Sequence, residues 1–293
     1  TDEEYKALNL TEPEKKYVKP FYKNSAISKW IYNKKNKHWI IITNYIDELK
    51  IYSNLNRHLL KFKTILDNRY RNFALLNADK EDKWWYLYGY RPNTNFDNEK
   101  IILPYRAVDN SFAFSHKPFY ASIDVFFINI TDPQFKTKYI NCILCSDIIE
   151  YWLNKNCKRK GKILELYQKP LSTIPIIKAD KKVQELFSII FDYILFLLAY
   201  QLSDTLELLL PKYFQQIING MVYELYFPEL LKKHKREIIR HLGELPEFTD
   251  GMSDEQKMKI CKTVFDRLND KEHPVRVNLF YMNSIPEIAI IEG

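Results

Sequence analysis

Short runs of apolar and aromatic residues dominate the first 178 positions, and this pattern predicts strands. The segment His38–Thr43 is rich in β-branched and aromatic side chains, which is typical of a buried strand. Similar runs follow, separated by turns rich in Pro, Asn and Asp: Trp84–Tyr88, Lys100–Pro104, Phe112–Phe114 and Ser122–Ile130. Together they predict a curved, mostly antiparallel sheet.

Two segments of the same region have helical spacing instead. Leu55–Leu66 places apolar residues three and four positions apart, and Lys138–Asn154 does the same, so each predicts one amphipathic helix. After the second of these segments, Lys158–Lys162 predicts a basic turn. A strand or extended piece follows it and ends at Ile174–Ile176.

From Lys181 onward the pattern is helical. It predicts helices from Lys181 to about Leu210 with a stop at Pro211, over Tyr213–Tyr226, over Leu230–Leu242, and from Ser253 to Leu268, with a tail at Ile285–Ile291 that adds a strand or packs on the helices. The apolar run Leu186–Leu202 is shorter than the ~20 residues of a membrane span and contains Asp192. We therefore expect a core helix there and no membrane partner.

These patterns predict an α+β fold with two lobes. Residues 1–178 form an N-terminal lobe with a mixed or mostly antiparallel sheet and flanking helices, predicted to recognise DNA. Residues 179–293 form a C-terminal helical lobe. With 46% hydrophobic and 15% aromatic residues in 293, the chain has enough apolar material for two packed lobes.

The charge is distributed unevenly between the two lobes. Residues 1–178 contain 30 Lys and Arg against 19 Asp and Glu, a net charge of +11, whereas residues 179–293 carry −4. A basic lobe suits a polyanionic partner. The alternative is that its lysines merely face water.

Cysteine usage and the first residues place the chain in a cellular context. Cys142 and Cys145 have the spacing of half a zinc site, but no second Cys or His pair follows, so we expect packing thiols and no metal. Free thiols indicate a reducing, cytoplasmic setting. The sequence starts at Thr1 without an initiator Met, which suggests a piece of a longer protein.

Motifs for catalysis are missing from this sequence. The six glycines are scattered and no Pro-Pro dipeptide occurs, so neither a cofactor loop nor the base-gripping loop of an amino-methyltransferase is expected, and no catalytic residue is assigned. Glu48 and Lys50 supply half of a nuclease pattern. A standalone metal-dependent nuclease, with Asp109 or Asp124 as the second carboxylate, stays open as an alternative.

Basic residues interleaved with aromatic residues near the predicted turns fit duplex DNA. Lys neutralises phosphates, and Arg and Asn present paired donors to base edges. Arg91 and Arg106 are expected to contact bases or phosphates, and Trp84 and Trp85 to support the sheet. For each single residue the alternative is a solvated side chain. The candidate DNA-binding residues are Lys23, Asn24, Arg57, Arg69, Arg91, Lys100, Arg106, Lys158 and Lys160.

The order of these segments resembles the TaqI-like specificity domain of type IIG enzymes and adenine-specific DNA methyltransferases. The resemblance rests on loose signatures in a fixed order rather than on one sharp motif. Its pieces are Lys19-Pro20-Phe21 with Ile27 and Trp30, Arg57–Phe62 with Leu66 and Arg69, Trp84–Tyr88 before Arg91-Pro92, Phe96 with Lys100–Pro104, Phe112 and Tyr120, Gly161–Leu166 with Leu171–Ile176, and Met221–Phe227.

The resemblance implies a target-recognition domain of a restriction-modification system. Such a domain binds double-stranded DNA beside the methyltransferase catalytic domain of the parent chain, which flips out the target adenine. It implies that the parent enzyme uses S-adenosylmethionine, and leaves open whether it also uses magnesium. No cofactor is expected in this fragment. Besides the nuclease, a second alternative to DNA recognition is a helical scaffold that docks a catalytic subunit.

Overall fold

The computed structural model describes residues 1–74, 83–87, 90–91, 94–200 and 207–293, without the side chains of residues 70–74. The strands are β1 (Val18–Tyr22), β2 (His38–Ile41), β3 (Lys100–Pro104), β4 (Arg106–Ala107), β5 (Ala113–Ser115), β6 (Tyr120–Ala121), β7 (Val125–Ile128), β8 (Lys158–Lys160) and β9 (Ile163–Glu165). The helices are α1 (Asp2–Ala7), α2 (Glu12–Lys15), α3 (Ser53–Leu60), α4 (Lys63–Ala74), α5 (Thr137–Leu144), α6 (Asp147–Asn156), α7 (Gln168–Leu171), α8 (Lys181–Ala199), α9 (Leu209–Tyr226), α10 (Pro228–His234), α11 (Asp254–Leu268), α12 (Pro274–Met282) and α13 (Pro286–Glu292). Short 3₁₀ turns cover Asn24–Ala26, Leu49–Ile51 and Ile239–His241.

The chain divides into two compact units, each built from several stretches of sequence. Unit 1 contains Thr1–Ala26, Asn33–Asn98 and Ser115–Ile123, and unit 2 contains Ile27–Tyr32, Glu99–Phe114 and Asp124–Gly293. These units are defined by packing. The division into a DNA-recognition lobe at 1–178 and a helical lobe at 179–293 concerns function and stays a prediction.

Unit 1 is organised around β1. This strand pairs antiparallel with β2, with Val18 opposite Ile41, and parallel with β6, with Phe21 opposite Tyr120. A small apolar cluster lies beside the sheet and consists of Tyr17, Val18, Ile46, Leu49, Leu55 and Leu59. The predicted strand at His38–Thr43 is therefore present as β2, although its residues are only partly buried.

The helix predicted at Leu55–Leu66 is two helices. α3 ends at Leu60 and α4 begins at Lys63. α3 buries Leu55 and Leu59 in the cluster, while Leu60 and Phe62 are 49% and 44% exposed. The apolar positions do not share one buried face, so packing does not require a continuous helix here.

The strand predicted at Trp84–Tyr88 is wrong for its described part. Residues 83–87 form a turn, and Tyr88 lies outside the described residues. The Trp85 indole donates to the Ile46 carbonyl at 3.0 Å, and both Trp84 and Trp85 pack on the cluster of unit 1. The aromatic side chains are here for packing and not for strand pairing.

A buried carboxylate ties the first residues of unit 1 to α3. Glu14 is 1% exposed and accepts hydrogen bonds from the backbone of Thr11, Asn54 and Leu55 at 2.7 to 3.1 Å. Burial by itself raises the pKa of Glu14, but these hydrogen bonds favour the charged form and lower its pKa to about 2.

Unit 2 contains two small sheets and most of the helices. The sheet β5-β3-β7 places Ile101 opposite Ile128 in an antiparallel pair, and the sheet β4-β9-β8 is antiparallel throughout. One large apolar cluster joins these strands to α5, α8 and α9, with Phe187, Phe214 and Met221 fully buried. The predicted strands at Lys100–Pro104, Phe112–Phe114 and Ser122–Ile130 correspond to β3, β5 and β7.

The helix predicted at Lys138–Asn154 is also divided. α5 ends at Leu144, and Ser146 occupies the N-cap position of α6, where its hydroxyl donates to the Ile143 carbonyl at 2.6 Å. The Nδ2 group of the buried Asn110 donates to the carbonyls of Leu144 and Ser146, each at 2.9 Å, and so links the end of α5 to the start of α6. The Ser146 carbonyl also accepts the Glu150 N–H of α6 at 3.0 Å. A tertiary contact thus compensates a break that periodicity does not reveal.

The helical part of unit 2 follows the predicted pattern in outline and differs from it in several places. The helix predicted from Lys181 to about Leu210 ends at Ala199, and α12 was not predicted. Pro211 lies in the first turn of α9 and does not stop the preceding helix, as a proline is tolerated there. α10 ends at His234 because Lys235 is left-handed, with φ of 54°, so the predicted helix at 230–242 is shorter. The tail is a helix rather than a strand, and Ile288 packs in the core.

The apolar run of α8 is a core helix. Five consecutive residues, 187–191, are buried, so the helix is surrounded by packing partners there. Asp192 pairs with Lys138 at 2.6 Å between Nζ and Oδ2. Residues 201–202 at the end of the run lie outside the described residues. Over the described ranges, no helix combines the length and the hydropathy needed to cross a membrane. The predicted α+β class, with sheets first and helices after, is confirmed.

Candidate nucleic-acid interface

The sheet β4-β9-β8 brings three of the predicted DNA-binding residues together. Arg106 lies opposite Glu165 on β9, and Glu165 lies opposite Lys158 on β8. Lys160 is two positions further along β8 and therefore on the same face. We call Arg106, Lys158, Lys160, Ile163 and Glu165 the basic sheet face. The opposite face buries Ala107 and Leu164 in the core of unit 2.

A tight turn completes this surface. Strands β8 and β9 are joined by Gly161 and Lys162, and Gly161 has φ of +63°, a conformation that L side chains rarely adopt. Lys158, Lys160 and Lys162 are all exposed. Residues 158–162, predicted as a basic turn, form one strand and the turn of a two-stranded ribbon, and the tip of this ribbon carries positive charge.

The side chain of Arg106 contacts two neighbours, Glu165 on the basic sheet face and Tyr105, the residue before β4. Its Nε and Nη2 atoms donate to Oε1 of Glu165 at 3.3 and 3.0 Å. Its guanidinium carbon lies 5.3 Å from the centre of the Tyr105 ring. The side chain of Arg106 is nevertheless 54% exposed, against 20% for Glu165. The guanidinium is held in place and still faces solvent.

Unit 1 carries a second basic surface, most of which was missed in the sequence. Lys34, Lys35 and Lys37 are exposed in the connection before β2, and Lys23 is exposed after β1. The Tyr22 hydroxyl donates to the Lys34 carbonyl at 3.3 Å, and the Asn33 amide donates to the Ala26 carbonyl at 2.8 Å. We call Lys23, Lys34, Lys35 and Lys37 the lysine loop.

A signal for the lysine loop exists in the sequence. Positions 15–46 contain eight lysines and no Asp or Glu. The strand pairing of Phe21 with His38 brings the two ends of the loop together. Asn24, predicted beside Lys23, begins the 3₁₀ turn Asn24–Ala26 and is partly buried.

The remaining predicted residues differ in accessibility. Arg57 is exposed on α3 and donates to Asn54 Oδ1 at 2.8 Å, and Arg69 is exposed on α4. Arg91 donates to the carbonyls of Ala121 and Ser122 at 3.0 and 3.1 Å, so its guanidinium holds backbone in unit 1. Both contacts are those of a structural side chain.

Lys100 does not lie on the surface. It begins β3 and is 0% exposed, so a phosphate at the surface does not reach its ammonium group. The sequence predicted Lys100 as a DNA-binding residue near a turn, at the start of the strand-like run Lys100–Pro104. We leave Lys100 out of the interface.

The cysteines are packing residues. Cys145 Sγ lies 3.1 Å from the Phe112 carbonyl, and burial raises its pKa to about 11. Burial also raises the pKa of Cys142, and that of Cys261 to about 12. All four cysteines are free. Within the ranges that the structure covers, no group of three or more His, Cys, Asp and Glu could hold a metal ion.

A wide groove of about 1380 Å³ lies in the helical part of unit 2. Asp147 and Glu292 are among the residues that line it, and burial raises the pKa of both carboxyls. Phe280, Tyr281 and Ile290 line it while being 76%, 47% and 64% exposed. Exposed apolar side chains of this size are suited to contact with another protein surface.

Comparisons with known proteins agree with the predicted resemblance. Residues 52–176 match the family model of the TaqI-like C-terminal specificity domain, and this match includes the whole basic sheet face. The segment Lys19–Trp30, which also suggested the family, lies before the match. No curated protein matches the sequence.

A solved structure shares the fold. It is the structure of the Type IIL restriction-modification enzyme MmeI in complex with DNA, with a TM-score of 0.54 and 13% sequence identity. The similarity covers 92% of this chain and 33% of that one, so this chain spans about a third of that enzyme. The predicted resemblance is confirmed, because residues 52–176 of this chain match the family model of the TaqI-like C-terminal specificity domain.

Proposed function

We propose that this chain recognises a specific sequence of duplex DNA for a restriction-modification enzyme. The observation that carries the proposal is the basic sheet face, because it collects Arg106, Lys158 and Lys160 on one exposed surface inside the matched specificity domain. The net charge of +11 over residues 1–178 supports a polyanionic partner.

The geometry of the ribbon supports duplex DNA over other polyanions. The major groove of B-DNA is about 12 Å wide and admits a two-stranded β-ribbon. Strands β8 and β9 form such a ribbon, with exposed lysines beside its tip at Gly161. Lysines near the groove edges contact phosphates, while Arg106 is able to reach base edges.

The parent enzyme is proposed from the family resemblance. We propose an adenine-N6 DNA methyltransferase or a type IIG fusion, in which S-adenosylmethionine, and magnesium for cleavage, act in catalytic domains outside this chain. The methyltransferase domain is then the protein partner. Four free cysteines support a reducing, cytoplasmic setting.

Selection from a randomised duplex library tests the proposal. The 293-residue chain is incubated with the library at moderate salt, and the retained DNA is sequenced. Enrichment of one short motif supports target recognition. Binding should also weaken by about 0.9 log units per log unit of salt for each phosphate neutralised. Retention that does not depend on salt would contradict the proposal.

A second candidate function is a protein-docking scaffold, favoured by the groove in the helical part of unit 2 with its exposed Phe280, Tyr281 and Ile290. Size-exclusion chromatography with a catalytic partner domain tests it. The nuclease alternative predicts that plasmid is cleaved in the presence of Mg²⁺, and an intact plasmid would exclude it.

A further inference from the structure

We infer that Arg106 reads a guanine in the target sequence and that Glu165 is the positioning residue that orients Arg106 for this contact. The inference rests on the proposed function and assigns a role within the basic sheet face. Arg and Lys differ here, because a planar guanidinium matches the O6 and N7 acceptors of guanine with two parallel hydrogen bonds.

Arg106 is restrained by two neighbouring side chains. Nε and Nη2 both donate to Oε1 of Glu165, and the guanidinium lies against the Tyr105 ring. Cross-strand pairing fixes the backbone positions of Arg106 and Glu165. The side chain therefore enters a complex in one orientation, which lowers the entropy lost on making a bidentate contact.

The lysines near Arg106 differ from it in what they require for binding. Lys158 lies opposite Glu165 on the other side, and Lys160 and Lys162 follow it toward the tip of the ribbon. A phosphate contact requires a charge near the backbone and little orientation. A surface ion pair contributes little stability, so stability alone does not account for the arrangement around Arg106.

The test uses the conservative variant Arg106→Lys in the 293-residue chain. This variant keeps the charge and removes the planar fork. The selected motif should lose its preference for guanine at one position by about tenfold or more, while binding to random duplex changes little. The matched control Lys158→Gln should weaken all sequences alike, lower the salt slope by about 0.9, and keep the motif.

Glu165→Gln distinguishes positioning from a purely structural role. The variant removes a negative charge from the basic sheet face, so affinity for random duplex should stay the same or rise. Discrimination at the guanine position should fall, because the charge that holds Arg106 is gone. A structural role predicts instead a lower melting temperature and weaker binding to every sequence.

The outcomes separate the inference from the proposed function. If wild-type protein enriches a motif and Arg106→Lys enriches the same motif with the same preference at every position, the inference is overturned and the proposed function stands. If wild-type protein retains no duplex at any salt concentration, both are overturned. A loss of preference at one position in both variants supports the inference.

Discussion

Units 1 and 2 carry positive charge in different ways. The lysine loop of unit 1 is held by backbone contacts, such as the hydrogen bond from the backbone N–H of Asn33 to the Ala26 carbonyl. Its lysines lie at exposed positions. The basic sheet face of unit 2 holds a guanidinium itself, through Glu165 and Tyr105. The first arrangement suits attraction to phosphates and the second suits reading of a base.

The two units are also stabilised differently. Unit 1 has a small apolar cluster and depends on the buried Glu14 and its hydrogen bonds. Unit 2 has one large cluster in which α9 packs closely against its neighbours at Gly220. Unit 1 should therefore respond to pH, and unit 2 should respond to changes in side-chain volume.

The largest effect is expected from neutralising the lysine loop. Replacing Lys34, Lys35 and Lys37 together with Gln should lower affinity for every duplex by about 100-fold or more at 0.1 M salt, and lower the salt slope by about 2.7. Electrophoretic mobility shift over a salt series measures both. If this triple variant kept its affinity but lost the selected motif, the lysine loop would read bases, contrary to the role assigned to it.

Acid should weaken unit 1 through Glu14. Its pKa is about 2 in the folded protein against 4.5 for the ordinary group, so its contribution is present above pH 4.5 and is lost as pH falls toward 2. The shift corresponds to about 3 kcal/mol at pH 7. Denaturant unfolding should show Glu14→Gln less stable by about that amount, with the difference about halved at pH 3.

A pH-independent difference between Glu14→Gln and wild type would contradict this account. The control is Glu12→Gln, because Glu12 is exposed and its ion pair with Lys15, at 2.5 Å, lies on the surface. That variant should change unfolding by less than about 1 kcal/mol.

Packing in unit 2 is tested at Gly220 of α9. A Cβ at this position would lie 2.6 Å from Leu279 Cδ2 and 2.8 Å from Ile238 Cδ1, and Ile238 is fully buried. Gly220→Val should therefore destabilise the protein by about 1 to 3 kcal/mol, as overpacked cores do. Thermal unfolding measures the loss, and the DNA motif selected below the melting temperature should not change.

The smallest effect is expected at the turn of the ribbon. Gly161 has φ of +63° and open space around it, so Gly161→Ala introduces backbone strain without a clash and should cost about 1 kcal/mol. Binding to the selected motif should weaken modestly. An increase in melting temperature would show that the turn does not need its left-handed residue.

Local pattern was sufficient for most elements and insufficient for their breaks. The capped start of α11 at Ser253, the apolar α8 and the strands β3 and β7 follow from nearby residues alone. The break between α5 and α6 does not, because Asn110 stabilises it from another part of the chain. Trp84 and Trp85 misled because packing on a core and pairing in a sheet favour the same aromatic residues.

By itself, the sequence determined the α+β class, the basic character of residues 1–178, and the resemblance to the specificity domain. Composition, periodicity and motif order are all visible along the chain without knowing which residues meet in space. Only the tertiary structure decided which cations share a surface. It placed Arg106 beside Glu165, which lies 59 positions later in the sequence, and buried Lys100 at 0% exposure. The sequence shows that a residue is charged but not which groups surround it in the folded protein, and those groups decide what the charge can bind.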